Sequence, residues 1–499
     1  MALGQIRKIL ASATTVVALG AGFLAGAPGA TAQTGSASTY LVLYSAGAST
    51  DGAKSAVEGA GGSLVASYSQ IGVAVASSSD AGFATAMEQV KGVEAVAATT
   101  KFGTKVDTLD AGSDNAPAAI PAATWGDSLS GLQWDMKQIN VPQAHAVTAG
   151  SKAVTVADLD TGLDFTHPDL APVYDAAKSA DCSSGKPTTL QPGNDANGHG
   201  THTAGTIAAA ANGHGIVGVA PGVKLAGVKT ANDDGFFFPE MVICAYMWVA
   251  DKGIDITNNS YFADPWLFNC ANDEGQRAIW KAERRAIAYA QSKGTLVIAS
   301  EGNESTDLSH PRIDVTSPDF PDGAAERREI TNACRVVPVE VPGVVGVTAT
   351  GNLRQKAYYS SYGTSTADVA APGGDAILQR TADAVNGRVL STYPKGRPCA
   401  RPVVDPATGG TYCYLQGTSM AGPHAVGVAA LLLSANPSLS GGSLAAKLQQ
   451  ATNSLTCPTD VSAYEPFPQS DDSPQSCQGG AGHNSWYGSG EIDALKAVS

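Results

Sequence analysis

The sequence contains no block of lysines and arginines, and its balance of charge is strongly acidic. Its 499 residues include 31 Lys and Arg against 45 Asp and Glu, which gives a formal net charge of −14. Nucleic acids and anionic membranes bind positive surfaces, so the charge argues against both as partners. Only 15% of the residues are charged and 43% are hydrophobic, a balance typical of a globular protein with a sizeable core.

After residue 32 the sequence has no apolar run long enough to span a bilayer. The first 32 residues differ: Arg7 and Lys8 precede the apolar stretch ILASATTVVALGAGFLAGA, and Ala30-Thr31-Ala32 has the small-x-small pattern that signal peptidase reads. The run is short and interrupted by glycine, which is unlike a membrane anchor. We therefore predict a signal peptide over residues 1–32 and a secreted, extracellular protein.

Cysteine is absent before residue 182, and no two cysteines form a C-x-x-C pair. This spacing argues against a metal or redox motif, and the chain has no His/Cys set suited to zinc. An even number of cysteines in a secreted protein indicates disulfides, although eight cysteines allow about 105 pairings. We favour the pairs Cys399–Cys413 and Cys457–Cys477, followed by Cys244–Cys270, which leaves Cys182–Cys334.

Changes of pattern divide the chain after the signal peptide into three parts. Residues 33–100 are predicted to form a small α+β unit, because TYLVLYS and QIGVAVAS resemble strands and DAGFATAMEQVKG has helical periodicity. Residues 101–130 are rich in Ala, Pro, Ser and Gly, as in a linker. From residue 131 to 499, strand-like runs alternate with helical patterns, which indicates an α/β domain around a mostly parallel sheet.

Polar residues stand out at the ends of the predicted strands AVTVADLD and GTLVIAS. Asp160 ends the first, and Asn303 lies just past the second, where ligands and catalytic groups collect in such folds. His199 in NGHGTHTAGTIAAA begins a helical pattern, and Ser419 lies among small residues in GTSMAGPH. A serine becomes a nucleophile only with a base and an oxyanion donor nearby, and these settings supply both.

Four blocks, DTG, HGTHTAG, EGN and GTSMAGPH, occur in the chain order of the subtilisin-like serine proteases, which residues 131–499 resemble. Residues 33–100 resemble the inhibitory propeptide of that family by pattern and position. The resemblance implies a three-layer α/β domain with a mostly parallel central sheet, preceded by a small α+β propeptide domain. It also implies protein or peptide substrates, and maturation by cleavage in or near residues 101–130.

The resemblance also assigns catalytic roles. Ser419 would attack the peptide carbonyl, His199 would carry the proton to the leaving amine, and Asp160 would hold the imidazole. Asn303 and the backbone N–H of Ser419 would bind the oxyanion. The neighbouring polar residues are interpreted as structural: Asp158, Asp164, His202 and His424.

In this family the substrate binds as an added strand between two protein segments. The matching positions are Asp234, Gly235 and Phe236 in one segment and Ser260, Tyr261 and Phe262 in the other. The family usually has Ser-Leu-Gly in the second segment, so the aromatic residues here indicate bulkier walls. Glu301 replaces a small residue before Gly-Asn, and it either favours a basic substrate side chain or points into solvent.

The resemblance implies a calcium site as well, although the reaction itself would need no cofactor. The loop ANGHGIVGVAPG has the length of the family's ion-binding loop, and calcium takes carboxylate and carbonyl oxygens from such loops. The matching ligands are the side chains of Asp169 and Asn212 and the carbonyls of Ala210, His214 and Ile216. The competing interpretation is an ordinary Gly-rich turn without a metal.

Together these observations predict a secreted, monomeric serine endopeptidase whose own propeptide acts as intramolecular chaperone and inhibitor. Two alternatives stay open. One is an aminopeptidase-type relative that releases tripeptides, and the other is a catalytically silent binding protein on the same scaffold. A silent protein would be expected to have lost at least one of Asp160, His199, Asn303 and Ser419, and the sequence retains all four.

Overall fold

The computed structural model describes residues 37–99, 125–318 and 325–499. The predicted signal peptide and most of the predicted linker lie outside the described residues. In chain order the strands are β1 (Ser38–Tyr44), β2 (Ser63–Tyr68), β3 (Val73–Ser78), β4 (Val93–Ala98), β5 (Thr155–Asp160), β6 (Ala180–Asp181), β7 (Lys224–Lys229), β8 (Ile256–Asn259), β9 (Asn269–Cys270), β10 (Leu296–Ser300), β11 (Ile313–Asp314), β12 (Arg328–Glu329), β13 (Cys334–Arg335), β14 (Val345–Thr350), β15 (Ala367–Pro372), β16 (Val389–Tyr393), β17 (Pro402–Val404), β18 (Thr411–Leu415), β19 (Thr452–Asn453), β20 (Gly479–Gly480), β21 (His483–Asn484) and β22 (Glu491–Ile492). The helices are α1 (Ala53–Gly59), α2 (Phe83–Glu88), α3 (Trp134–Gln138), α4 (Val141–His145), α5 (His199–Ala208), α6 (Pro239–Lys252), α7 (Glu274–Ser292), α8 (Thr418–Ala435), α9 (Gly441–Gln450) and α10 (Ala494–Val498).

The central sheet places the ends of β5 and β8 side by side. Its strand order is β19-β22-β15-β14-β10-β8-β5-β7-β6. Neighbouring strands are parallel, apart from the antiparallel pair β19–β22. In this register Asp158 lies opposite Asn258 and Leu159 opposite Asn259. The predicted α/β fold is confirmed, and the residues that end β5 and follow β8 emerge at one edge.

Helices cover both faces of this sheet, which gives the predicted three layers. Successive strand residues point to opposite faces. Val156 of β5 packs in a core with Ala204 of α5 and with α8. Ala157 packs in a second core with Val242 of α6 and Ala282 of α7. The even-numbered residues of β5 therefore face α5 and α8.

Helix α8 runs through the first of these cores. By length and composition alone Thr418–Ala435 could cross a membrane, contrary to the expectation from the sequence, but 89% of it is buried inside the protein. It is therefore a core helix, and its apolar residues pack against the sheet and against α9 and α10.

Residues 37–99 form a small α+β unit, as the sequence predicts. Its antiparallel sheet has the strand order β2-β3-β1-β4. One face packs on α1 and α2 through residues that include Val57 and Phe83. The opposite face, with Leu41 and Val73, joins the core formed by α6 and α7. The unit therefore lies on the outer side of those two helices.

The disulfides confirm the two local pairs and correct the two distant ones. Cys399–Cys413 and Cys457–Cys477 are present. The predicted pairs Cys244–Cys270 and Cys182–Cys334 are wrong, because the bonds join Cys182 to Cys244 and Cys270 to Cys334. Cys270 of β9 lies opposite Cys334 of β13 in an antiparallel pair, while Cys182 follows β6 and meets α6. Strand pairing and helix packing decide both bonds, and spacing along the chain does not reveal them.

Strands β16, β17 and β18 form a separate antiparallel sheet within the long segment before α8. This sheet packs closely on α5, because Thr392 Oγ1 donates to the carbonyl of Thr201 at 2.6 Å. Tyr412, a residue of β18, is completely buried. The sheet thus forms part of the support of α5.

Candidate active site

Asp160 and His199 form a buried pair at the carboxyl edge of the central sheet. Asp160 is the last residue of β5, and His199 is the first residue of α5. His199 Nδ1 lies 2.7 Å from Asp160 Oδ1. An ionised carboxylate only accepts hydrogen bonds, so Nδ1 carries a proton and Nε2 is the basic nitrogen. Nε2 makes no hydrogen bond with any of the residues that the structure describes.

The first turn of α5 is capped by Asp195, which the sequence analysis missed. Its Oδ1 accepts from the N–H of Gly198 at 2.8 Å and from Thr161 Oγ1 at 2.9 Å. Its Oδ2 accepts from the N–H of Thr201 at 2.9 Å. Such a side chain satisfies N–H groups that lack partners within the helix, and its charge suits that end. An acidic residue just before a helical pattern was the available signal.

Gly200 allows α5 to approach the turn that follows β5. A Cβ at this position would lie 2.2 Å from the carbonyl oxygen of Gly162 and 3.0 Å from Cβ of Asp160. Contacts this short do not fit any larger residue, so glycine is needed here. The close approach brings the start of α5, and with it His199, to Asp160.

Ser419 is the second residue of α8 and lies against the segment that follows β8. Its Oγ donates to the carbonyl of Ser260 at 3.3 Å, and Ser260 Oγ donates to the carbonyl of Ser419 at 3.0 Å. Because β5 and β8 are parallel neighbours, Ser260 and Asp160 emerge at the same edge of the sheet. The structure therefore brings Ser419 and the Asp160–His199 pair to one edge.

Asn303 follows β10, the next strand along this edge, and Thr418 fixes its orientation. Its Oδ1 accepts from the N–H of Thr418 at 2.9 Å and from Thr418 Oγ1 at 3.0 Å. Thr418 Oγ1 in turn accepts from the N–H of Gly302 at 3.1 Å. With Oδ1 engaged, the amide Nδ2 is the group of Asn303 that can serve another acceptor. Thr418 is a second site residue that the sequence analysis did not single out.

These side chains together meet the requirements of acyl transfer. A hydroxyl lies at the positive end of a helix, and an imidazole with a fixed tautomer lies at the same edge. The N–H of Ser419 is in the first turn of α8, where backbone donors have no partner within the helix. With the amide of Asn303 it can form two donors for a developing oxyanion.

The two predicted substrate segments lie next to each other. Asp234 and Phe236 belong to the turn between β7 and α6, where Asn232 Oδ1 accepts from the N–H of each at 3.0 Å. Phe237, the residue after the first segment, stacks on Tyr261 of the second with ring centroids 4.3 Å apart. This contact joins the two segments into one surface.

The aromatic residues of these segments differ in exposure. The rings of Phe236 and Tyr261 are buried, and the hydroxyl of Tyr261 donates to Asn259 Oδ1 at 3.3 Å. Phe238 and Phe262 are half-buried. Tyr261 therefore supports the wall from behind, and the half-buried rings are the ones that a ligand can reach.

Glu301 and Glu304 flank the Gly302-Asn303 pair and have different environments. Glu301 is 1% exposed, so it does not point into solvent; a Cβ at Gly346 would lie 2.4 Å from its Oε1. Burial raises the pKa of Glu301 well above its ordinary value. Glu304 is half-buried, accepts from Ser361 Oγ at 3.1 Å, and has a pKa raised by burial. Of the two carboxyls beside Gly302-Asn303, that of Glu304 is therefore the more accessible.

His202 and His424 are both held inside the protein. His202 Nε2 donates to the carbonyl of Cys413 at 3.0 Å, and burial lowers the pKa of His202 to about 3. His424 Nδ1 donates to the carbonyl of Met420 at 2.8 Å, and its Nε2 lies 3.0 Å from Asp135 Oδ2. These contacts agree with the interpretation of both residues as structural.

The residues predicted to hold calcium lie together, but hydrogen bonds between them occupy their oxygens. Asp169 Oδ1 accepts from Asn212 Nδ2 at 3.2 Å, while Oδ2 accepts from the N–H of Ile216 at 3.1 Å and from Tyr412 at 2.8 Å. Asn212 Oδ1 accepts from the N–H of His214 at 3.0 Å, which directs the amide nitrogen towards Asp169. Calcium needs these oxygens as ligands, so the arrangement does not fit the ion.

The hydroxyl of Tyr412 fills the centre of this loop. A Cβ at Gly215 would lie 1.8 Å from the Tyr412 hydroxyl and 2.4 Å from Asp169 Oδ2. The N–H of Ala210 donates to the carbonyl of Asp169 at 2.8 Å and closes the loop. Burial raises the pKa of Asp169 to about 6. Within the described ranges, no group of three or more His, Cys, Asp and Glu side chains could hold a metal.

Comparison with known sequences identifies the family. The family model described as the subtilase family matches residues 151–490. Subtilisin BL of Lederbergia lenta is 31% identical over 325 residues, which cover 65% of this chain and 92% of that protein. Fervidolysin of Fervidobacterium pennivorans is 31% identical over 337 residues, which cover 63% of this chain and 40% of that longer protein.

Solved structures show the same fold. The epidermin leader peptide processing serine protease of Staphylococcus aureus superposes with a TM-score of 0.65 at 20% identity, covering 92% of this chain and 97% of that chain. Fervidolysin superposes with a TM-score of 0.62 at 24% identity, covering 93% of this chain and 61% of that chain. The family match, the relatives and the fold agree: the chain belongs to the subtilase family and is a subtilisin-like serine peptidase.

Proposed function

We propose that the protein is a secreted serine endopeptidase in which Asp160, His199 and Ser419 form the catalytic triad. The observation that carries this proposal is the buried contact of 2.7 Å between His199 Nδ1 and Asp160 Oδ1. It directs Nε2 of His199 away from Asp160, at the edge of the sheet where α8 begins with Ser419. Subtilases need no cofactor for peptide hydrolysis, so the side chains of the chain supply each step.

Ser419 is the nucleophile. Its hydroxyl turns from the carbonyl of Ser260 towards His199 Nε2, which takes the proton as Oγ attacks the substrate carbonyl carbon. His199 then gives this proton to the leaving amine, and the C–N bond breaks to leave an acyl ester on Ser419. Water attacks the ester with His199 again as the base, and the proton returns to Ser419. Asp160 stays ionised and stabilises the imidazolium.

The oxyanion is bound by Asn303 Nδ2 and the N–H of Ser419. Both donors are fixed before the substrate arrives, one by the Thr418 contacts to Asn303 Oδ1 and the other by the first turn of α8. Fixed donors need no reorganisation when the charge develops, and this is why such sites lower the barrier.

Substrates are proteins or peptides, as the family implies. We place an extended substrate between the segment of Asp234, Gly235 and Phe236 and the segment of Ser260, Tyr261 and Phe262, where backbone groups can extend it as a strand. The half-buried rings of Phe238 and Phe262 favour apolar substrate side chains.

Residues 33–100, of which the structure describes 37–99, are proposed to be the propeptide that inhibits and assists the catalytic domain. The superposed structure from S. aureus covers 92% of the chain, a larger share than residues 131–499 make up. At the seam, Arg285 Nη1 of α7 donates to the carbonyl of Tyr44 at 2.7 Å. Lys281 and Arg285 pair with Glu94 at 2.6 Å and 3.1 Å. The unit thus docks through polar contacts around an apolar face.

Cleavage after this unit is proposed to occur within residues 101–130, most of which lie outside the described residues. Export by the leader over residues 1–32, which lies there too, completes the proposal. Support for an extracellular location comes from the disulfides, which persist in oxidising compartments. We propose a monomer, since the chain itself supplies all three triad residues.

The proposal is tested by expressing wild type and Ser419→Ala side by side. The wild-type precursor is expected to shorten by loss of its N-terminal unit and to react with a serine-directed phosphonylating reagent. Ser419→Ala is expected to do neither, because the attacking oxygen is gone. Mass spectrometry reads both outcomes. Equal maturation and labelling of the two proteins would contradict the proposal.

Ser434→Ala is the matched control, because Ser434 lies on the same helix and its hydroxyl donates to the carbonyl of Ala430. It is expected to mature and to be labelled like wild type. Digestion of a denatured protein then separates the alternatives. Internal cleavage supports an endopeptidase, release of tripeptides supports an aminopeptidase-type enzyme, and no cleavage supports a silent binding protein.

A further inference from the structure

A buried series of polar side chains connects the helix of His199 to the helix of Ser419, and the mechanism above does not use it. It begins at Thr203 of α5, whose Oγ1 lies 2.7 Å from Asp158 Oδ2. Asn258 Nδ2 of β8 donates to Asp158 Oδ1 at 2.8 Å and to Ser260 Oγ at 3.1 Å. All four side chains are almost completely buried.

The series ends on the backbone of Ser419. Pro423 lies four residues later in α8 and has no N–H, so the carbonyl of Ser419 lacks its helical hydrogen bond. Ser260 Oγ donates to that carbonyl at 3.0 Å instead. The orientation of the first turn of α8 therefore depends on Ser260, and Asn258 holds Ser260 in place.

The contacts of Thr203 indicate that Asp158 carries a proton. Thr203 Oγ1 also lies 3.0 Å from the carbonyl oxygen of Gly200 and 3.3 Å from that of His199. A hydroxyl has one hydrogen, whereas the carbonyls and an ionised carboxylate only accept. A protonated Asp158 can donate to Thr203 Oγ1, which leaves the threonine hydrogen for Gly200. The short contacts to Asp158 and Gly200 then each contain a hydrogen.

The surrounding charges also favour the neutral form of Asp158. Asp160 lies two residues along the same strand, paired with His199 of α5, and Asp195 lies in the segment before α5. Burial, followed by the charge of Asp160, raises the pKa of Asp158 well above its ordinary value, and Asp195 acts in the same sense. From β8, the neighbouring strand, Asn258 presents an uncharged amide to Asp158.

We propose that Asp158 is a positioning residue of the hydrolytic reaction: its protonated carboxyl couples the turn of α5 that carries His199 to the Ser260 contact that orients Ser419. This proposal rests on the catalytic roles proposed above and replaces the interpretation of Asp158 as a strand-end residue. Small displacements of a nucleophile from its base cost large factors in rate, so the coupling acts on kcat more than on KM.

Two substitutions test the coupling in the mature enzyme. Asp158→Asn retains an acceptor for Asn258 and a donor for Thr203, so it is expected to keep kcat within about threefold of wild type. Asp158→Ala removes both contacts and is expected to lower kcat about tenfold or more with KM nearly unchanged. The pH at which kcat/KM falls on the acid side is expected to be the same in Asp158→Asn and wild type.

Asp368 of β15 provides the matched control, because it is another carboxyl held by two hydrogen bonds but is not part of the series that reaches Ser419. It accepts from the N–H of Gly346 at 2.9 Å and from Gln449 Nε2 at 2.8 Å. Asp368→Ala is expected to lower stability without lowering kcat.

Two results would overturn the proposal. One is wild-type kcat in Asp158→Ala, and the other is an acid limb in Asp158→Asn that moves to lower pH, as removal of a negative charge near His199 requires.

Infrared spectroscopy of the Ser419→Ala chain gives a measurement that does not depend on activity. The difference spectrum between Ser419→Ala and Ser419→Ala/Asp158→Asn is expected at neutral pH to show the carbonyl stretch of a protonated carboxyl. Carboxylate bands in its place would overturn the proposal even if the Asp158 variants fold poorly. If the wild-type protein is inactive but the band of the protonated carboxyl is present, the proposed catalytic roles are refuted. The protonation of Asp158 is then still established.

Discussion

At the scale of single residues, the two ends of the Asn303 side chain have different partners. Oδ1 is engaged by Thr418, and this fixes the direction in which Nδ2 points. The same division holds for His199, whose Nδ1 is engaged by Asp160 while Nε2 has no hydrogen-bond partner among the described residues. In both residues one contact inside the protein orients the group that the proposed mechanism uses.

Asn303→Ala is expected to lower kcat about 10²–10³-fold, or about 3–4 kcal/mol, with a small change in KM. The substitution removes a hydrogen-bond donor that acts mainly on the charged transition state. The magnitude is the one established for the corresponding donor of subtilisin itself. Steady-state kinetics on one peptide substrate measures it. Asn453→Ala, which removes an amide bonded to Asp493 at 2.9 Å, is the control with unchanged kcat. A higher KM with unchanged kcat would contradict the role of Asn303 as an oxyanion donor.

At the scale of elements, the sheet of β16, β17 and β18 supports the loop that follows α5. Tyr412 of β18 donates to Asp169 and lies inside the loop that Gly215 closes. The loop follows α5, so the sheet stabilises the end of the helix that begins with His199. The support of α5 therefore comes from a protein hydroxyl.

Tyr412→Phe is expected to destabilise this loop by about 1–3 kcal/mol, because a buried acceptor of Asp169 loses its donor. Hydrogen exchange of residues 209–217 in the Ser419→Ala background measures the effect. We expect faster exchange in Tyr412→Phe and no acceleration by a calcium chelator in the parent. Tyr414→Phe on the same strand is the control, since Tyr414 is not among the donors to Asp169. Chelator-sensitive exchange in the parent would show that an ion holds the loop.

At the scale of the whole molecule, the seam between residues 37–99 and the catalytic domain contains an acidic group. Glu240 of α6 is 4% exposed, and its Oε2 has no hydrogen-bond partner among the described residues. Thr99 of the N-terminal unit bonds to it, and burial raises the pKa of Glu240 to about 7. Between pH 4.5 and about 7, Glu240 is therefore protonated when this seam is closed and ionised when it is exposed to water.

The uncleaved chain is accordingly expected to lose stability as the pH rises. Glu240 binds its proton up to about pH 7 when folded and only up to its ordinary value of 4.5 when exposed. Its contribution is thus fully present below pH 4.5 and is lost by about pH 7, with an upper bound of roughly 3–4 kcal/mol. Urea unfolding of Ser419→Ala and of Ser419→Ala/Glu240→Gln from pH 4 to 8 measures this. The second protein is expected to show the flatter dependence, and equal slopes would contradict the assignment.

The sequence by itself determined the α/β class, the strands that end at Asp160 and before Asn303, and the helix that begins near His199. These follow from patterns within short stretches, where apolar alternation and small residues act locally. The two local disulfides follow from the same closeness along the chain.

Only the tertiary structure decided the distant disulfides, the burial of Glu301 beside Gly346, the Tyr412 contact to Asp169 and the series through Asp158. Each joins residues on different elements, so it depends on strand register and on how closely helices pack. The same residue types at the same spacings would permit a calcium ligand at Asp169 or an uninvolved strand end at Asp158. Whether each carboxyl is protonated depends on the groups that contact it in the folded chain. Inside the protein, hydrogen bonds and neighbouring charges shift the pKa of an acid, and these contacts come from other elements.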